Sequence, residues 1–206
     1  MDVISILKQA LLLSLALLVA CSGDDELVGT GGGPQLVEAA AHKGPFIIGS
    51  KVTINRLSSS GVATEKTIVT EIRNDLGGFS FELEAAGLIQ IKVDGYHFNE
   101  IRGVVSNGRL DLNAVYDTNK NDEIFVNILT HLISNRVLQL ISTGSGYDTA
   151  VTQAQGELQA ALSGIFTLDD NTDFGRLSVF DLAGTNSLGN AYLLALSALF
   201  YKYADI

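Results

Sequence analysis

Oxygen-bearing side chains at alternate positions are the clearest chemical pattern in this 206-residue sequence. Asp117, Asn119 and Asn121 stand at positions 1, 3 and 5 of DTNKNDEI, which is how a calcium loop begins. A hard cation needs several such oxygens converging on one point. Ile124 is correctly apolar at position 8, but Asp122 stands at position 6 where the sharp turn needs glycine. Ile128 stands at position 12, where a bidentate carboxylate belongs. The pattern therefore argues against an EF-hand and leaves a looser Ca2+ site, or a plain Asn/Asp-rich connection. Asp169, Asn171 and Asp173 repeat the theme, again with no glycine at position 6. Side-chain-to-backbone bonding in a polar loop is the simpler account of both. No other cofactor is expected.

Asn127, His131 and Asn135 recur every four residues and so share one helical face. They would line a cleft or form the hydrogen-bonded rim of a packed helix. The three histidines are scattered without His-x-x-x-His spacing, so they do not suggest a zinc site. The glycine cluster at 29–33 has no lysine-serine pair behind it and is not a phosphate loop. Tyr96, Phe98 and Tyr116 would stack on carbohydrate if exposed, and otherwise pack in the core. No catalytic set emerges, and the reading leans away from an enzyme.

Cys21 is the only cysteine. It follows ALLLSLALLVA at 10–20, an eleven-residue apolar run. As a helix that run would rise about 16 Å, against roughly 30 Å of hydrocarbon core. An exported leader is the better reading than a spanning helix. Leu18-Val19-Ala20-Cys21 resembles the bacterial lipobox, where the thiol takes a diacylglyceryl group and the chain is cut just before it. The expected organisation is a signal peptide at 1–20, a lipidated tether at 21–42, a β-sandwich domain at 43–116 and a helical module at 117–206, truncated at its C-terminus if the chain is a fragment. With 23 acidic against 13 basic residues and a net charge of −10, nucleic acid and anionic surfaces are poor broad partners. Ser22 beside the cysteine, with the first acid at Asp24, points to the outer membrane of a bacterial envelope.

The elements that must position these residues show two periods. Val52 and Ile54, then Ile68, Thr70 and Ile72, then Phe79, Phe81 and Leu83, then Ile89, Ile91 and Val93 alternate every two residues. Ser-rich, Asn-Asp-Gly and Asp-Gly turns separate these segments. That spacing predicts a small antiparallel β-sandwich. One or two more strands are expected over 96–114. From Phe125 the period becomes helical, predicting helices over 125–141, 149–163 and 188–203. The last, apolar on every side, should lie centrally in a helical core. The fold class is α+β.

Six stretches in order resemble a family of bacterial surface lipoproteins of unassigned role: KGPFIIGSKVTI, NDLGGFSFEL, DGYHFNEIRGVVSNGRLDLNAV, NILTHLISNRVLQL, AVTQAQGELQAAL and AYLLALSALF. The resemblance implies a transthyretin-like or carboxypeptidase-regulatory-like sandwich followed by a helical module. It also implies display outside the cytoplasm and a binding or scaffolding role, with no known active site. The leading expectation is a lipid-anchored envelope protein that binds a protein or glycan at the cell surface. The alternatives are an envelope enzyme with its active site between modules or beyond residue 206, and a structural subunit of an outer-membrane assembly. An exposed aromatic or apolar patch would favour the first.

Overall fold

The computed structural model describes residues 34–204 except 122, 166–167, 170–171, 182 and 184–186. The leader, Cys21, the start of the tether and Asn171 lie outside the described residues. What is described is α+β, with mostly antiparallel strands and three helices.

Nine strands run β1 (Gln35–His42), β2 (Lys51–Leu57), β3 (Ala63–Glu71), β4 (Gly78–Leu83), β5 (Leu88–Gly95), β6 (Phe98–Asn99), β7 (Val104–Val105), β8 (Leu110–Asp117) and β9 (Ile124–Asn127). Helices α1 (Ile128–Ser142), α2 (Tyr147–Leu162) and α3 (Ser187–Ala204) follow, with a 3-10 turn at Phe174–Arg176 before α3. One sheet is ordered β4-β1-β9 and a second β3-β2-β5-β8, while β6 and β7 pair only with each other. Alternation turns every second side chain inward. Val37, Phe79, Phe81, Leu83, Ile124 and Val126 from the first sheet therefore meet Ile54, Ile89, Ile91, Val93 and Leu112 from the second in one buried cluster.

Two expected boundaries are corrected. Residues 35–42, assigned to the tether, form β1, which pairs antiparallel with β4 and parallel with β9. Polarity hid this strand, because its inward positions are small: Val37 and Ala41 are buried and Leu36 faces water. The sheet also continues past 116. Phe125 lies in β9, not in a helix, and the helical period starts at Ile128. The β1–β9 pair makes the first sheet mixed, where purely antiparallel pairing was expected.

Strand β8 joins the sheets to the helices through its two faces. Leu112, Ala114 and Tyr116 enter the inter-sheet cluster, while Val115 enters a second one with Ile133, Val137, Ala154, Phe174, Leu177, Leu193 and Leu196. Among its described side chains, helix α3 is buried along one side. Leu193, Leu196 and Ser197 are covered, whereas Leu188, Leu199 and Phe200 face solvent. It is thus less central than its composition suggested. Among the described residues no helix is long and apolar enough to cross a membrane.

Candidate functional site

The Asn/Asp loops are turns that satisfy themselves. Asp117 Oδ1 accepts from the Asn119 amide at 3.1 Å and from Asn119 Nδ2 at 2.9 Å, and Asn121 Nδ2 donates to the Asp117 carbonyl at 2.9 Å. Asp173 Oδ1 accepts from Gly175 N at 2.8 Å, capping the 3-10 turn, while Asp169 is exposed. Asn121 and Asp173 do come together, across a groove of about 420 Å3 that Lys120, Tyr147, Asp148 and Arg176 also line. Lys120 pairs with Asp148 there. Among the described residues no three His, Cys, Asp or Glu side chains converge to hold a metal.

The row Asn127, His131, Asn135 does not form a cleft. Asn127 is fully buried as the N-cap of α1: its Oδ1 accepts from Thr130 N at 2.9 Å, and its Nδ2 donates to Phe174 O at 2.8 Å and Leu177 O at 3.1 Å. His131 Nδ1 accepts from Asn113 N at 3.1 Å, closing the outer edge of β8. Burial lowers its pKa. Asn135 is exposed. One helical face thus splits into a cap, an edge cover and a solvated amide, because the sheet and the 174–177 segment meet it at different turns. Tyr116, offered as a stacking residue, is buried, and its hydroxyl donates to Phe125 O at 2.8 Å.

Of the three stacking candidates Tyr96 and Phe98 are exposed, and they lead to a feature the sequence did not announce. Along the β6–β7 hairpin the alternation is inverted. Tyr96 (44% exposed) and Phe98 (37%) point outward while His97 (0%) and Asn99 (2%) point inward. Val105 sits opposite Phe98 in the ladder and shares its outward face, and Val105 and the tip residue Ile101 are about half exposed; Val104, also half exposed, sits opposite Asn99 on the other face. A surface hairpin ordinarily turns its apolar side to the core. Here the polar side is buried.

The seat of that polar side explains the inversion. Asn99 Oδ1 accepts from Ile101 N and Arg102 N at 3.1 and 3.0 Å, which folds the tip, and Gly103 completes it at φ +68. Phe98 N donates to Pro45 O at 2.8 Å and Ile47 N to Tyr96 O at 2.9 Å, fastening the hairpin to KGPF. Gly44 is required for this approach, since a Cβ there would lie 2.2 Å from Phe98 O. Its amide donates to Glu100 Oε2 at 3.2 Å. Ser106 Oγ accepts from His97 N at 3.2 Å, and the Phe46 and His97 rings lie 6.1 Å apart.

Beneath the hairpin, Lys43 is 1% exposed. Its Nζ, both His97 ring nitrogens and Glu100 Oε1 are buried with no protein hydrogen-bond partner. Burial depresses Lys43, an effect the Glu100 charge opposes. Burial, helped by the Lys43 charge, brings His97 down to about 4. His42, stacked on Phe125 at 5.2 Å and donating to Leu76 O, is also brought to about 4 by burial. Sequence reasoning quoted KGPF but missed Lys43 and Glu100 as a buried pair of groups. The available signal was the wrong-phase alternation Tyr-His-Phe-Asn.

Comparisons of this chain with protein-family models, with curated proteins and with solved structures found no match.

Proposed function

We propose that this chain is a lipid-anchored bacterial envelope protein with a binding or scaffolding role, and that the outward face of the β6–β7 hairpin is its docking surface. The observation that carries this reading is the inverted hairpin, which exposes Tyr96, Phe98 and Val105 on one face, with Ile101 exposed at the tip. Exposed apolar side chains gathered on one face, and not scattered singly, are what marks an interaction site. Burial of the hairpin's polar side against Lys43 and Gly44 keeps that face turned outward. The anchor reading rests on Leu18-Val19-Ala20-Cys21, and outer-membrane display rests on Ser22. Two facing sheets over one core support a transthyretin-like sandwich and, with the quoted motifs, membership in the surface-lipoprotein family. A protein, a glycan or the membrane itself is a possible occupant of the face, and its composition selects among them.

A second reading, a structural subunit of an outer-membrane assembly, is favoured by α3. Leu188, Tyr192, Ala195 and Leu199 follow one helical stripe, and Leu188 is 58% exposed. Labelled palmitate fed to producing cells tests the anchor. The wild-type protein takes the label and sediments with membranes, and Cys21→Ala does neither. An unlabelled wild-type protein overturns the proposal.

A further inference from the structure

We infer that the hairpin face rests in the headgroup–acyl boundary of the same bilayer that holds the Cys21 lipid, giving the protein a second, peripheral membrane contact. The inference rests on the anchor reading above and adds an occupant for the hairpin.

Composition is the first argument. Tyr96, Phe98 and Val105 share the face, Val105 standing opposite Phe98 in the ladder, and Ile101 stands at the tip. Aromatic rings suit the membrane–water interface, and branched aliphatic side chains suit the acyl region below it. This mixture fits a bilayer better than a glycan, which offers hydroxyls that Ile101 and Val105 cannot satisfy.

Local charge is the second. The chain as a whole is at −10, yet between Tyr96 and Arg109 the charged residues are Glu100, Arg102 and Arg109. Glu100 turns inward to Gly44, while Arg102 is exposed at the tip and Arg109 lies 6.0 Å from the Tyr96 ring centroid. Asp94 pairs with Arg109 at the base of the hairpin, which leaves Arg102 as the cation at the tip. An arginine there lays its stem along apolar surface and offers its guanidinium to lipid phosphate. The broad acidity that argues against anionic surfaces therefore does not extend to this face.

Reach is the third. Pro34, the first described residue, stands thirteen positions after Cys21. A fully extended segment of that length spans at most about 45 Å. The body is thus confined near the bilayer, where even a weak interfacial contact is populated, because tethering makes it intramolecular.

The chain contains no tryptophan, so one introduced at Val105 is a unique reporter. Lipidated Val105→Trp protein, purified from membranes, is reconstituted into vesicles of phosphatidylethanolamine and phosphatidylglycerol, with and without acyl-chain doxyl lipid. Flotation reads the anchor and fluorescence reads the hairpin. The expected result is that the protein floats, its emission moves to shorter wavelength and doxyl lipid quenches it. Ile101→Trp should behave alike, while Val69→Trp on exposed β3 stays solvent-like and unquenched. Arg102→Glu in the Val105→Trp background reduces the quenching. Flotation without quenching at either hairpin position overturns the bilayer contact and leaves the anchor intact. A blue shift that doxyl lipid does not quench overturns it in favour of a protein neighbour. Failure to float overturns the anchor reading, and this inference with it.

Discussion

Replacing Asn127 separates a structural cap from a functional cleft residue, and its cost follows from four bonds. In Asn127→Ala, α1 loses the side-chain acceptor for Thr130 N, a capping loss of about 1 kcal/mol. The Nδ2 donors to Phe174 O and Leu177 O also vanish inside a closed interior. Phe174 O retains a long bond from Leu177 N at 3.4 Å, so Leu177 O bears most of that loss. A stranded buried acceptor costs about 1–3 kcal/mol. The sum is roughly 3 kcal/mol, a large part of a stability of about 5–15 kcal/mol. The fourth bond, Asn127 N to Thr130 Oγ1 at 2.9 Å, uses the backbone and survives.

Asn127→Ser keeps a capping oxygen but loses the amide, so about 2 kcal/mol is expected. Asn127→Asp keeps the cap and turns a buried carboxylate toward two carbonyls, which should make it at least as damaging as alanine. Urea unfolding followed by circular dichroism reads the series, with Asn135→Ala as an exposed control expected within about half a kcal/mol of wild type. If Asn127→Asp is as mild as Asn127→Ser, or Asn127→Ala falls within about half a kcal/mol of wild type, the amide does not make these two bonds and the cap account is wrong.

Acid should weaken the fold through two histidines. His42 and His97 are held at about 4, below the unfolded value of 6.5, so between those limits the unfolded chain binds protons that the folded chain refuses. Stability then falls as pH drops through that window, by on the order of 3 kcal/mol per histidine. His97→Leu should flatten the slope of unfolding free energy between pH 7 and 4, and an unchanged slope would clear His97 of the effect. Gly44→Ala drives a Cβ against Phe98 O and should cost about 3 kcal/mol, the upper end of overpacking, with faster amide exchange in the hairpin. Equal exchange rates in mutant and wild type would refute that close approach. Asp117→Ala removes the acceptor of two Asn119 bonds and should cost about 1–2 kcal/mol. Excess calcium should leave the wild-type melting temperature in place, and a rise of several degrees would show a cation in that loop.

The strand periods at 52–54, 79–83 and 89–93 were legible because each puts large apolar residues on one face. The strand at 35–42 was not, since alanine and glutamate carry its sequence and its pairing with β4 and β9 is long-range. Helical spacing put Asn127, His131 and Asn135 on one face, but spacing cannot say which turn meets the sheet, which meets the 174–177 segment and which meets water. The hairpin was hidden for the opposite reason. Its aromatic residues read as core by composition, and only the buried, unpartnered Lys43 and His97 beneath it show that the polar side faces in.

The most direct measurement of the central claim uses thiol chemistry in intact cells. Cys21 is the only cysteine, so once it carries lipid a cysteine introduced elsewhere is the only free thiol in the chain. Cells producing the wild type, Val105→Cys or Val69→Cys are exposed to a small permeant maleimide, and labelling is read by mass. The account expects no label on the wild type, strong label at position 69 and protection at position 105. Labelling of the wild type would contradict the lipid anchor, and equal labelling at positions 69 and 105 would contradict the docking face.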